Sequence, residues 1–142
     1  MTGSANIELH RRLYEAFNES IDAFIVLCHL EIEFFSAFIA VSGVTVFRGH
    51  DGLREWGRGY EEVFGDEVRV EVEAFFDLGE ATMVVMVLRG RGRQSGAETT
   101  MPLAQVARWR DGLCVYLKSY ADKAQAFAEL GVSEDELEPI AP

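Results

Sequence analysis

Apolar residues fall at two different periods along this chain, and the change comes near its midpoint. In the first half Ile7, Leu9, Leu13, Tyr14, Phe17 and Ile21 recur at roughly helical spacing, which predicts an amphipathic helix over residues 5–19. The run AFIVLC is apolar nearly all round, so a second, shorter helix expected from Asp22 to His29 should be buried. EIEFFSAF, rich in aromatics, reads as a strand, and VTVFRG, after a Ser-Gly turn, as a short second one. In LREWGRGYEEVF, residues Leu53, Trp56, Tyr60 and Phe64 mark one face of a third helix. That helix forms despite Gly57 and Gly59, each costing about 1 kcal/mol against alanine.

From Glu67 onward the period is two. EVRVEVEAF sets Val68, Val70 and Val72 against Arg69, Glu71 and Glu73, the pattern of a half-buried strand. ATMVVMVLRGRGR is apolar on both faces between Met83 and Leu88, so both faces are expected to be covered, by core or by another subunit. SGAETTMPLAQVARWR and, after the Asp111-Gly112 turn, LCVYLKSY complete four long strands joined by short turns, hence antiparallel hairpins. DKAQAFAELG is a last helix with Gly131 at its exit, and the acidic tail SEDELEPIAP, residues 133–142, is expected to be loose. Helices first and long strands second make an α+β fold, with residues 1–142 as one domain.

Composition narrows the function classes. The 142 residues carry 24 acidic against 13 basic side chains, a net charge of −11. Nucleic acid and anionic membranes need a basic surface, so neither is an expected partner. No apolar run approaches membrane-spanning length and MTGSANIELHRR lacks a signal-peptide core, so a cytoplasmic location is expected. Cys28 and Cys114 stand in apolar surroundings and read as buried free thiols. His10, His29 and His50 show no ligand spacing, so neither a metal nor another cofactor is called for.

FRGHDGLREW, residues 47–56, is the stretch that looks most like a site. Its plain reading is a helix entry: Gly49 and Gly52 turn the backbone, Asp51 puts negative charge at the helix's positive end, and His50 or Asp51 caps free amides. His50 could also edge a pocket mouth.

RRLYEAFN, GHDGLREW, RGRGRQSG, RDGL and KSYADKAQAFAELGV occur here in an order that resembles the SnoaL-like proteins of the nuclear-transport-factor-2-like superfamily, from Ile7 to Val132. The resemblance implies a curved antiparallel sheet wrapped into a cone, helices closing a deep apolar pocket, and homodimers paired through the outer sheet face. It does not name an activity, because the superfamily spans cyclases, isomerases, hydrolases, dehydratases and binding modules.

Within that resemblance Tyr14 falls where the ketosteroid isomerases keep a hydrogen-bonding tyrosine. EIEFFSAF has no aspartate for their base, and PLAQVARW offers Gln105 near their second acid. For the epoxide hydrolase arrangement Arg89 or Arg91 would supply the arginine, but Ser119 stands where an aspartate is expected. The polyketide cyclases rely on one carboxylate, for which Asp122 is the candidate; its competing reading is the N-cap of the final helix. Phe34, Phe38, Trp56, Tyr60, Trp109 and Tyr120 are inward aromatics, all but Trp109 assigned to the pocket, and Gln105 on an apolar strand needs a partner such as Tyr14. Arg89, Arg91 and Arg93 read as a solvated strand face, meeting Glu71 or Glu73 across a dimer. Two functions follow: a small-molecule binder with an apolar pocket, or an acid–base enzyme on an apolar oxygenated substrate with Asp122 and Tyr14 as its catalytic groups. A protein-transport adaptor is a weaker third.

Overall fold

The computed structural model describes residues 3–36, 46–64, 68–92 and 96–142. In chain order they form α1 (Gly3–Glu19), α2 (Ile21–Val26), β1 (Cys28–Phe35), β2 (Val46–Arg48) and α3 (Gly49–Phe64). Then come β3 (Arg69–Asp77), β4 (Ala81–Arg91), β5 (Glu98–Arg110), β6 (Leu113–Tyr120), α4 (Lys123–Leu130) and a 3-10 turn at Glu134–Glu136. The strands make one curved, unclosed six-stranded sheet in the order β2-β1-β6-β5-β4-β3. β3 to β6 is the expected run of antiparallel hairpins. The exception to antiparallel pairing is β1, which lies parallel to β6 with Phe34 opposite Leu117.

Two boundaries differ from the sequence reading. Ser20 starts α2 by accepting the Ala23 amide at 3.0 Å, but the helix stops at Val26 rather than His29. Cys28 already belongs to β1, opposite Cys114, and the Cys114 amide donates to Leu27 O at 3.1 Å. A short run that is apolar all round carries no period, so tertiary pairing decides it. α3 starts at Gly49, earlier than Leu53. Within it Gly57 is required by packing: a Cβ there would stand 2.9 Å from Ile21 Cγ2, so the missing side chain lets α2 and α3 touch.

The helices α1, α2 and α3 cover the concave face of the sheet. The inner core gathers Leu13, Phe17, Phe24, Phe34, Trp56 and Tyr60 from helices and β1, with Phe75, Val84, Met86, Leu103 and Leu117 from the sheet. Fully burying a large apolar side chain is worth about 1.5–3 kcal/mol, so this cluster carries much of the stability. The opposite face holds a second core, where Phe76, Met83, Ala104 and Val106 meet Ala126 and Phe127 of α4.

That second core alters the expectation for β4. Its outer face at Met83 is covered by the chain's own α4, while Val85 and Val87 are only half-buried. The tail is also not loose. Leu137 packs on the outer core, Phe75 N donates to Ile140 O at 2.8 Å and Ile140 N to Phe75 O at 2.7 Å, and Arg11 reaches Ala141 O at 3.0 Å. Two apolar side chains anchor a segment whose acidic residues suggested disorder. Gly131 ends α4 in the left-handed conformation, at φ 67°. Among the described residues no helix is long and apolar enough to cross a membrane.

Candidate functional site

Between α1, α3 and the concave sheet the side chains leave a space of about 20 Å³, walled by Tyr14, Phe34, Trp56, Tyr60, Gln105 and Leu117 among others. That is room for about one water, not for the deep pocket expected. The aromatic rings fill it: Trp56 and Tyr60 lie 4.8 Å apart by ring centroid, and Trp56 and Phe34 5.1 Å. The indole of Trp56 donates to Ser36 Oγ at 3.1 Å, which fixes its plane.

Two polar groups stand out on these apolar walls. Gln105 comes from the concave side of β5; its amide nitrogen donates to Ser119 Oγ at 2.7 Å, while Oε1 is buried without a hydrogen bond. Tyr14 comes from the inner stripe of α1, and its hydroxyl is likewise buried and without a hydrogen bond. A buried polar atom without a partner costs about 1–3 kcal/mol, so a fold retains two such atoms beside one cavity at a price. Burial pushes the Tyr14 phenol well above its ordinary pKa, reinforced by the Cys114 and Cys28 thiols nearby. Burial raises the Tyr60 phenol too. Both are therefore neutral donors at physiological pH.

One turn before Tyr14, His10 is completely buried, with its Nδ1 2.8 Å from Thr82 Oγ1. The Trp109 indole donates to the same oxygen at 2.9 Å. His10 packs against the rings of Tyr14, Phe75 and Trp109 at centroid distances of 5.5, 5.4 and 5.5 Å, and its Nε2 has no hydrogen bond. Burial lowers its pKa to about 3, so the ring is neutral. The sequence reading gave His10 no role; the signal was its position inside the Ile7–Leu13–Phe17 stripe, and Thr82 had none.

The structure thus brings together Tyr14, Phe34, Trp56, Tyr60 and Gln105 at one cavity. Phe38 lies outside the described residues. Tyr120 is not at the cavity: it sits in the outer core, because its place on β6 points it at α4, and its hydroxyl donates to Glu129. Asp122 is exposed, and its carboxylate accepts the Gln125 amide at 2.9 Å as the N-cap of α4. Its competing role as proton carrier would need a carboxylate turned into the cavity. Trp109 is on the concave side as expected, half-buried at Thr82. Gln105 meets Ser119 rather than Tyr14, since β5 and β6 pair these two residues directly.

The helix entry also differs in detail. Asp51 is in the first turn of α3, where it accepts from Arg54 at 3.0 Å instead of capping an amide. His50 Nε2 lies 2.7 Å from Cys28 O, tying α3 to β1, so it neither caps nor faces the cavity. His29 lies 4.0 Å from Asp111, so the three histidines have separate surroundings. Within the chain Arg89 pairs with Glu71 at 3.0 Å and Arg91 with Glu98 at 3.2 Å, all four side chains being exposed. Arg93 lies outside the described residues.

A SnoaL-like domain model matches residues 10–117, most of the chain and all of this site. The chain belongs to the SnoaL-like domain family. No curated protein sequence matches it significantly. Among solved structures, a nuclear-transport-factor-2-like protein of unknown function from Burkholderia pseudomallei superposes with a TM-score of 0.72 at 20% identity, covering 87% of this chain and 95% of that one. TerC, co-crystallised with polyporic acid, gives 0.72 at 22% identity over 89% and 97%. A protein with a ketosteroid isomerase-like fold from Catenulispora acidiphila, in complex with trimethylamine, gives 0.70 at 16% identity over 90% and 95%. At these identities the SnoaL-like chain shares their fold.

Proposed function

We propose that this SnoaL-like chain binds a small, largely apolar molecule carrying a neutral hydroxyl group in its central cavity. One observation carries the reading: Tyr14 Oη and Gln105 Oε1, both buried and both without a hydrogen bond, line the same apolar space. The phenol donates and the amide carbonyl accepts. A ligand hydroxyl can accept from the first and donate to the second, which satisfies both at once. A carboxylate would serve only the phenol and bring charge into an apolar cavity, where it is expensive. In the empty state a single water fits the space and the same two partners. A larger molecule enters by displacing side chains such as Trp56 and Phe34, the rotamer adjustment common on binding. TerC, similar in fold, was co-crystallised with a small organic molecule, polyporic acid, which agrees with this reading.

The alternative, cyclase- or isomerase-like acid–base chemistry, needs a proton carrier at the cavity with a pKa near neutrality. Asp122 caps α4 and faces solvent, and His10 is held neutral down to a pKa of about 3. Binding is therefore the reading the geometry favours. The same reading takes the protein as cytoplasmic and as a homodimer. In the dimer, the outer-face residues that α4 leaves half-buried, Val85 and Val87, would meet their counterparts.

Native mass spectrometry of the purified protein, before and after denaturation, tests both points. A reproducible small organic mass, lost in Tyr14→Phe and in Gln105→Leu, is the expected result, each variant weakening retention about tenfold as one hydrogen bond is removed. If the wild type is empty and a panel of apolar alcohols and phenols leaves its melting temperature unchanged, the proposal fails.

A further inference from the structure

Cys28 and Cys114 lie far apart in sequence, yet the parallel β1–β6 pairing sets them directly opposite one another. Both are free thiols in the inner core, at 1% and 0% exposure. The Cys28 thiol donates to Phe24 O at 3.4 Å and the Cys114 thiol to Tyr116 O at 3.4 Å. The two thiols also contact each other, and that contact helps burial raise the Cys114 pKa. Directly paired residues on neighbouring strands are about 4.8 Å apart, inside the Cα separation that disulfides span.

We propose that Cys28 and Cys114 are a reversible redox modification site, forming an intrachain disulfide between β1 and β6 when the protein meets a peroxide. In the first step one sulfur, as thiolate, attacks a peroxide oxygen. The O–O bond breaks, hydroxide leaves and takes a proton to become water, and the sulfur becomes a sulfenic acid. In the second step the other sulfur attacks the sulfenic sulfur; the S–S bond forms and the sulfenic oxygen leaves as a second water. Two thiols give up two protons and two electrons, and one hydrogen peroxide becomes two waters. A dithiol reductant reverses the bond.

The geometry also sets the pace. Burial keeps the Cys114 thiol protonated, and the thiolate is the reactive form, so oxidation is slow in the closed protein. The place where it opens is local. Among the described residues the sheet continues past β1 with the three-residue β2 alone, and the β1–β6 ladder is irregular between Cys28 and Glu33. Fluctuation of β1 exposes the pair without unfolding the β3–β6 hairpins.

The experiment treats the full-length protein in native buffer with hydrogen peroxide. Remaining thiols are then alkylated in denaturant, and intact mass and a non-reducing peptide map are recorded. The expected product is monomeric, lighter by two hydrogen atoms and closed to alkylation. It joins the Cys28 peptide to the Cys114 peptide, melts at a higher temperature than the reduced protein, and reverts with dithiothreitol. Cys114→Ser, under the same treatment, yields no intrachain crosslink. Two alkylatable thiols surviving in the wild type would overturn the proposal. So would oxygen adducts without a crosslink, a crosslink only between chains, or an oxidised form that melts lower.

Discussion

The concave and convex faces of the sheet each carry an apolar core, yet the two cores are closed in different ways. On the convex face small residues, Ala81, Ala104 and Ala126, let α4 lie close, and Phe76 and Phe127 meet edge to face at 5.3 Å. Its buried phenol, Tyr120, finds Glu129 at the rim. The concave face is closed by long rings and one imidazole from three helices. Tyr14 Oη, Gln105 Oε1 and His10 Nε2 are left there with hydrogen-bonding capacity unused. Packing alone explains the first face. The second spends stability on groups that packing does not need, which is why the ligand reading belongs there.

The contrast can be broken by substitution, starting with the largest effect. Trp56→Ala should cost about 3–5 kcal/mol in urea unfolding, because it opens a void among interlocked rings. Phe127→Ala should cost less and, by hydrogen exchange, deprotect α4 and the tail while sparing β3–β6. Equal costs with global deprotection would make the two faces one core.

Acid comes next. Burial lowers the His10 pKa to about 3 in the folded protein, against an ordinary 6.5, so its contribution is complete above the unfolded value and drains away as pH falls toward the folded one. Between pH 7 and pH 5 the wild type should lose about 2 kcal/mol more than His10→Leu in matched urea titrations. Parallel pH profiles would show that the imidazole is not held neutral.

Asp122→Ala should cost about 1 kcal/mol through the lost helix cap and leave any co-purifying mass untouched. A lost ligand would return this carboxylate to the site. The smallest effect is expected at Tyr14→Phe in the empty protein, within about 0.5 kcal/mol of wild type or slightly more stable, since the deleted hydroxyl has no partner to lose. A large destabilisation there would mean that a bound water already satisfies it.

The alternation of EVRVEV and the hairpin at Asp111-Gly112 made the β3–β6 half legible, because strand period and turn chemistry are local properties. Tyr14, Trp56 and Tyr60 are legible as inward residues from helical period and Phe34 and Gln105 from their apolar strands, with the resemblance supplying the cavity that joins them. The strand that Cys28 joins is not legible locally, because its partner, Cys114, lies far along the chain. His10 is not legible from ligand spacing; its signal is an imidazole on an apolar stripe. Tail docking was hidden by net charge, since Leu137 and Ile140 are two apolar residues among acids. The face that Tyr120 takes is not legible, since strand period gives two alternating sets and does not say which looks inward.

The parallel seating of β1 beside β6 has a consequence in time. The β3–β6 hairpins bring together neighbours in sequence and pay little to close their loops, whereas β1 must wait for a partner that the intervening strands deliver. On that ground folding should build the floor of the cavity before the wall that carries Phe34. The cavity should then be completed last, with the β1 amides the slowest to gain protection in a pulse-labelling experiment.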